Sequence, residues 1–240
     1  MVVIKKEFAA AKVVFATVVT FGILLAADGP HAVFPDPSWN FGFLPQKAEV
    51  SHTFYVHNDG TAPLTVVKID LDCSCTSVSE IEKPIAPGDS AAIILSFKTG
   101  RYHGRVTKSA KVETDDPERP IQRVRFQSVV NKENEPADSL AIEPFRLKWK
   151  TDKSRLAIMA DTVMIVNSGS SERKIVPILV PDPIIESVDF PKSVAAGDSA
   201  SISFKLTHEK IPERMKYYST TFAFEGRDTT FVTIPIELEQ

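Results

Sequence analysis

Apolar and polar positions alternate along this chain in short runs that turn-forming clusters interrupt. The clearest run is Val50 to Asn58, with Val50, His52, Phe54 and Val56 on one face and Ser51, Thr53, Tyr55 and His57 on the other. A period of two is the pattern of a half-buried strand. Trp39–Phe43 precedes it as a first strand. Leu64–Leu71, Ala91–Phe97, Arg105–Thr114 and Arg123–Val130 follow, the last with Val124, Phe126, Ser128 and Val130 on one side. Asn58-Asp59-Gly60 and Pro87-Gly88-Asp89-Ser90 are turn signals, because Asn and Gly tolerate positive φ and Pro fixes its own. Six or seven short strands in roughly 95 residues predict a β-sandwich.

A second strand series begins near Ile142 and runs through Arg146–Trp149, Thr162–Asn167, Lys174–Val180, Ala200–Leu206, Ser219–Phe224 and Phe231–Leu238. Leu206–Tyr217 has room for a short helical turn, limited by Pro212. Asn131–Ser139 is polar and poor in apolar residues, which reads as a linker. The two series repeat one another. Asn58-Asp59-Gly60 recurs as Asn167-Ser168-Gly169, and Gly88-Asp89-Ser90-Ala91 as Gly197-Asp198-Ser199-Ala200, both 109 positions on. Two turn signals at one spacing place the same hairpins in each half. Gly60, Gly88, Gly169 and Gly197 are therefore expected in tight turns, some at positive φ. The expected layout is a leader over 1–32, a first sandwich over 33–130, a linker over 131–139 and a second sandwich over 140–240.

The leader reading rests on Lys5, Lys6 and Lys12 ahead of the uncharged run Val13–Ala27, broken by Asp28-Gly29-Pro30. A positive start and a short apolar stretch form a secretory signal, and fifteen residues fall short of the roughly 20 a membrane span needs. No small residue stands two before Ala26, Ala27 or Ala32, as an A-x-A site needs, so the cleavage point is open between about Ala27 and Val33. An uncleaved anchor is the alternative, and a membrane association is expected only in that case. The body is expected outside the cytoplasm: periplasmic, in the envelope or extracellular. A net charge of −3 and a pI near 6.0 give no footprint for nucleic acid.

Candidate chemistry is confined to Cys73 and Cys75, the two cysteines of the chain. In an extended strand residues i and i+2 share a face with Cα atoms ~6.6 Å apart, near the ~6.8 Å limit for a disulfide. A bond thus requires the chain to bend between them. Three readings stand: a structural disulfide favoured by export, buried free thiols, or a redox or soft-metal pair. A Cu(I) site would need a third ligand such as His52, His57 or His103. His52 and His57 fall on opposite faces of one strand, which argues against a shared site. Asp70 and Asp72 share a face but lack the further oxygens a calcium loop needs. Asp115-Asp116-Pro117-Glu118 reads as a solvated hairpin turn. Arg101, Arg105, Lys108 and Lys111 read as a solvated face. No nucleophile elbow, phosphate loop or zinc motif is present, so no enzyme activity and no cofactor are expected.

Phe54, Asn58, Gly60 and Leu64, then Cys73-Ser74-Cys75-Thr76, then Pro84-Ile85, Pro87-Gly88 and Phe97 together resemble a bacterial family, the domain of unknown function 1573. That family usually shows Cys-Gly-Cys-Thr, so Ser74 departs from its pattern. A middle Gly kept for backbone freedom would imply a different turn here. The resemblance covers about residues 37–130, and the second half joins it only through the repeat. It is related to hydin, abnormal-spindle and major sperm protein domains, which implies an all-β chain of two tandem immunoglobulin-like sandwiches. The implied role is a non-enzymatic, exported binding or scaffolding module with a protein partner. Thiol-redox or copper handling by Cys73 and Cys75 is the alternative, and a periplasmic pilus-type chaperone a weaker one.

Overall fold

A computed structural model describes residues 29–79, 81, 83–132, 134–150, 160–180, 184–206 and 217–239. The apolar run Val13–Ala27 and nearly all of Leu206–Tyr217 lie outside the described residues. Within them the chain is all-β, with seventeen strands and no helix.

The first eight strands are β1 (Ala32–Val33), β2 (Ser38–Pro45), β3 (Glu49–Asn58), β4 (Val66–Leu71), β5 (Thr76–Val78), β6 (Ser90–Lys98), β7 (Gly104–Thr114) and β8 (Ile121–Asn131). They form two sheets, β1-β3-β6-β5 and β2-β8-β7-β4. Alternation along each strand turns one face of each sheet inward. Phe41, Leu44, Phe54, Leu64, Ile93, Leu95, Phe97 and Phe126 are all at most 1% exposed and share one core. Each such side chain contributes about 1.5–3 kcal/mol by leaving water.

The remaining strands repeat this plan. They are β9 (Leu140–Glu143), β10 (Leu147–Lys150), β11 (Ala160–Asn167), β12 (Arg173–Leu179), β13 (Ile185–Asp189), β14 (Ser193–Val194), β15 (Ser199–Leu206), β16 (Tyr217–Glu225) and β17 (Thr230–Glu239). Sheet β9-β11-β15-β13 matches β1-β3-β6-β5, and β10-β17-β16-β12 matches β2-β8-β7-β4. A separate core gathers Trp149, Phe204, Phe222 and Phe224. The repeat reaches single hydrogen bonds. Asn58 Nδ2 donates to the carbonyls of Ala62 and Ile85, and Asn167 Nδ2 to those of Ser171 and Val194, each acceptor 109 positions on.

The halves are joined by more than the connecting chain. Strand β2 pairs in parallel with β8 on one side and, at Phe43 and Val232, with β17 on the other. The two larger sheets thereby run on as one nine-stranded sheet. A register shift between Asn40 and Gly42 marks a bulge in β2. It sends Phe41 into the first core and Phe43 against the second. Thr233 Oγ1 donates to the Phe41 carbonyl at 2.6 Å, and the Arg146 guanidinium donates to the carbonyls of Gln46 and Lys47 at 2.6 and 2.8 Å.

Several expectations change here. Residues 29–32, assigned to the leader, belong to the first sandwich. The Gly29 carbonyl accepts from the Thr61 and Ala62 amides, and Ala32 is 1% exposed. Asp116 is not part of a solvated turn. It is 1% exposed and accepts from the amides of Ala32, Glu118 and Arg119. Burial pushes its carboxyl up, but these N–H donors outweigh that and hold it below the usual carboxylate range. The stretch 131–139 is tied down: Asn131 is buried in β8, its side chain donates to the Pro136 carbonyl, and Ala137 and Leu140 exchange backbone bonds.

Candidate functional site

Cys73 and Cys75 lie where the chain leaves the edge of the nine-stranded sheet at the end of β4 and crosses to β5 at the edge of the facing sheet. The crossover needs a sharp bend, and Ser74-Cys75 supplies it as a turn. The Cα atoms of Cys73 and Cys75 close to 5.3 Å, and the sulfurs are bonded. Ser74 is exposed and does not take positive φ, so the bend does not require the glycine usual at the family's middle position. Both cysteines are partly exposed, and Cys75 packs on the first core.

The surroundings of the two sulfurs differ. The Thr76 hydroxyl, on a buried residue, reaches Cys73 Sγ at 3.4 Å and Cys75 Sγ at 3.9 Å. The Tyr102 hydroxyl donates to Cys75 Sγ at 3.6 Å and accepts from Lys108 Nζ at 3.2 Å. The Lys108 ammonium also stands 4.8 Å from the centre of the Tyr102 ring. Lys108 is therefore not on the solvated face assigned to it. Its β7 neighbours Val106 and Ala110 point into the core, and so by the period of two does Lys108, at the open end of the sandwich. The loop carrying Tyr102 is fixed in turn. Gln46 Nε2 donates to the Arg101 and Tyr102 carbonyls at 3.3 and 2.8 Å, and the Tyr102 ring lies against Phe97. Because Arg146 holds the Gln46 carbonyl, the second half helps to place a site in the first.

Among the described residues no histidine joins the pair. His57 Nδ1 meets Ser90 Oγ, and His103 Nε2 meets Glu135. His52 stacks on Trp39 at 4.0 Å between ring centres, with Phe54 edge-on at 4.8 Å. Among the described residues no three His, Cys, Asp or Glu side chains form a metal-binding group. Burial lowers the His52 pKa to about 4. The sign follows from linkage. The unfolded ring binds its proton near the ordinary 6.5 and the folded ring lower. Stability from this residue is thus full above 6.5 and lost as pH falls toward about 4. We expect the urea midpoint to drop over that interval, and His52→Phe to flatten the drop. An unchanged acid limb in the variant would remove His52 as the cause. His31 has the opposite sign. The Asp59 hydrogen bond raises its pKa, so its contribution fades as pH rises.

The disulfide closes a ring of three residues, so Cys73→Ser/Cys75→Ser is expected to cost about 1–2 kcal/mol in urea unfolding. A loss above about 4 kcal/mol would mean that the bond holds the sheet crossover itself.

The four glycines sit outside the strands. Gly88 and Gly197 have φ of +82° and +72°, whereas Gly60 and Gly169 stand in close approaches to Gly29 and Ser139. Sequence reasoning missed Tyr102 and the role of Lys108, and gave Thr76 only as part of the family motif. Residues 27 and 33 positions from the cysteines carry no local signal, although Lys108, read by the period of two, already falls on the Val106 side of β7.

Among solved structures, a protein of unknown function from Porphyromonas gingivalis W83 is similar at 11% identity and a TM-score of 0.34, covering 86% of this chain and 99% of that one. The E. coli chaperone DraB is similar at 10% identity and 0.34, covering 88% and 98%. The ASH/PapD-like domain 7 of human CEP192 is similar at 12% and 0.33, covering 42% and 85%. Likenesses this loose carry no inference about what the chain does. The family match is firmer: residues 33–130, with the Cys73-Ser74-Cys75-Thr76 crossover inside them, match the family described as protein of unknown function (DUF1573).

Proposed function

We propose that this chain is an exported, non-enzymatic binding or scaffolding protein, built of two immunoglobulin-like domains that share one continuous sheet. The observation that carries this reading is the outer face of sheet β1-β3-β6-β5. Ser51, Thr53, Tyr55 and His57 of β3 stand there beside Ser96, Ile94, Ala92 and Ser90 of β6. None of the eight is Asp, Glu, Lys or Arg, in a chain that is 25% charged, and Tyr55 is 57% exposed; the face carries charge at its Ser51 end, where Glu49 and Lys98 pair at 3.6 Å and Ser51 Oγ donates to the Tyr217 carbonyl. A sheet face kept only for solubility normally mixes charges of both signs. An uncharged patch with an exposed aromatic ring suits a protein partner. The opposite sheet supports the contrast, since Arg105, Arg123 and Arg125 are exposed on its outer side.

The edge of this sheet adds to the reading. Strand β5 covers β6 only at Leu95–Phe97. Ile94 exchanges bonds with Ser79 on that side, so by the alternation of a strand Ala92 and Ser90 direct their backbone groups the same way. Those groups border an open groove of about 510 Å³ lined by Ile81, Pro84 and Ile85, a place for an added strand.

Tyr55→Glu/Ala92→Glu is expected to abolish capture of partner proteins from envelope extract while leaving the urea midpoint unchanged. Capture of the same proteins by wild type and variant would show that this face is not the binding surface. Loss of capture by Cys73→Ser/Cys75→Ser alone would move the function to the cysteines. Export is tested on the same material. Because residues 29–33 are built into the fold, a processed N-terminus should fall at or before Gly29, and recovery of the full-length chain from the cytoplasm would overturn export.

A further inference from the structure

We propose that the Cys73–Cys75 disulfide exchanges with dithiol partners, Cys73 being the sulfur attacked and Cys75 the sulfur that leaves. The proposal rests on the asymmetry around the pair. Cys75 Sγ receives a hydrogen bond from Tyr102, whose oxygen is bonded to the Lys108 ammonium. Among the described residues Cys73 Sγ has only the Thr76 hydroxyl, at 3.4 Å, which also stands 3.9 Å from Cys75 Sγ. In thiol–disulfide exchange the leaving sulfur departs as a thiolate, and the better stabilised thiolate leaves faster. A polarised hydroxyl with a cation behind it stabilises negative charge on Cys75 and does nothing comparable for Cys73. Opening the ring also disturbs little, because the pair spans a turn between β4 and β5 and closes three residues.

The partner is a protein or peptide with two thiols. One of its thiolates attacks Cys73 Sγ, forming a mixed disulfide and breaking the Cys73–Cys75 bond. The bond's electron pair goes to Cys75, which leaves as the thiolate beside Tyr102 and later takes a proton from water. The partner's second thiolate then attacks its own mixed-disulfide sulfur and releases Cys73 as a thiolate, which is protonated in turn. The partner has lost two electrons and two protons and holds a new disulfide; Cys73 and Cys75 have gained both as thiols. The step is a stoichiometric exchange that the same residues run backwards when the partner is the oxidant. It is independent of the uncharged patch on β3 and β6, which Tyr102 and Lys108 substitutions leave intact.

The test uses the purified oxidised chain with two reductants, dithiothreitol and reduced glutathione. Reduction by dithiothreitol at pH 7 is expected to slow about fivefold in Tyr102→Phe, the weight of one hydrogen bond, and in the same direction in Lys108→Met. Circular dichroism checks that both variants are folded. Partial reduction with glutathione, quenched with N-ethylmaleimide and mapped by peptide mass, is expected to place glutathione on Cys73 and maleimide on Cys75. Glutathione on Cys75, or on both equally, overturns the assigned direction. Unchanged rates in folded Tyr102→Phe overturn the role of the hydroxyl. Two free thiols after exposure to oxidised glutathione overturn the exchange altogether.

Discussion

Gly42→Ala is expected to destabilise the chain by about 3 kcal/mol or more, since it combines overpacking with a left-handed backbone. Gly42 sits in the β2 bulge at a φ of +65°, with its amide bonded to Asn40 Oδ1 at 2.9 Å. A Cβ there would stand 2.0 Å from the Phe231 carbonyl oxygen and 2.3 Å from its carbon. Those are backbone atoms at the start of β17, and no rotamer change moves them away. The strand pairing at Phe43 and Val232 must therefore open. The two halves have separate cores, so the opening need not unfold either. The expected signature is a urea transition that shifts down and splits, together with new proteolytic cleavage between residues 131 and 139. A Gly42→Ala midpoint and m-value equal to wild type would show that the sheets are not joined through this contact.

Asn58→Ala is expected to cost about 2–4 kcal/mol, in the range of a broken buried hydrogen-bond network. Asn58 is fully buried at the end of β3. Its Nδ2 donates to the Ala62 and Ile85 carbonyls at 2.9 and 2.8 Å, and its Oδ1 accepts from Gly60 N at 3.1 Å. Removing the amide strips the Ala62 carbonyl and the Gly60 amide of this partner and leaves the Ile85 carbonyl with the Leu64 amide alone. Asn58→Asp should be almost as damaging, because a carboxylate cannot donate to the two carbonyls. Asn167 does the same work in the second half, with the Ser171, Val194 and Ala195 carbonyls as acceptors. Asn167→Ala should therefore match Asn58→Ala within about 1 kcal/mol, given the spread of such bonds. If either substitution costs less than about 0.5 kcal/mol, the surface range, the shared turn is held by its backbone bonds alone.

The strands that carry a regular period were legible from the residues. Val50, Phe54 and Val56 alternate with Tyr55 and His57 because one face of β3 meets the core and the other water, and the structure buries the first set at 1% exposure or less. The short elements β1, β5, β13 and β14 were not legible, since two to five residues are too few to display a period. Asp116 was misread for a related reason: an acidic turn looks solvated unless the donors that bury it are seen, and the Ala32 amide comes from 84 positions away.

The sequence by itself determined the all-β class, the repeat at 109 residues and the condition that any bond between Cys73 and Cys75 needs a bend. Each follows from local physics: side-chain alternation, the turn chemistry of Asn and Gly, and the reach of a disulfide. Only the tertiary structure decided that β2 serves two cores, that the large sheets are continuous, and that Cys75 rather than Cys73 lies beside Tyr102 and Lys108. Those facts depend on which strand edges meet and on a loop folded back from residue 102. Alternation fixes the face on which a side chain lies, but which distant atom comes to rest against it is settled only when the layers close.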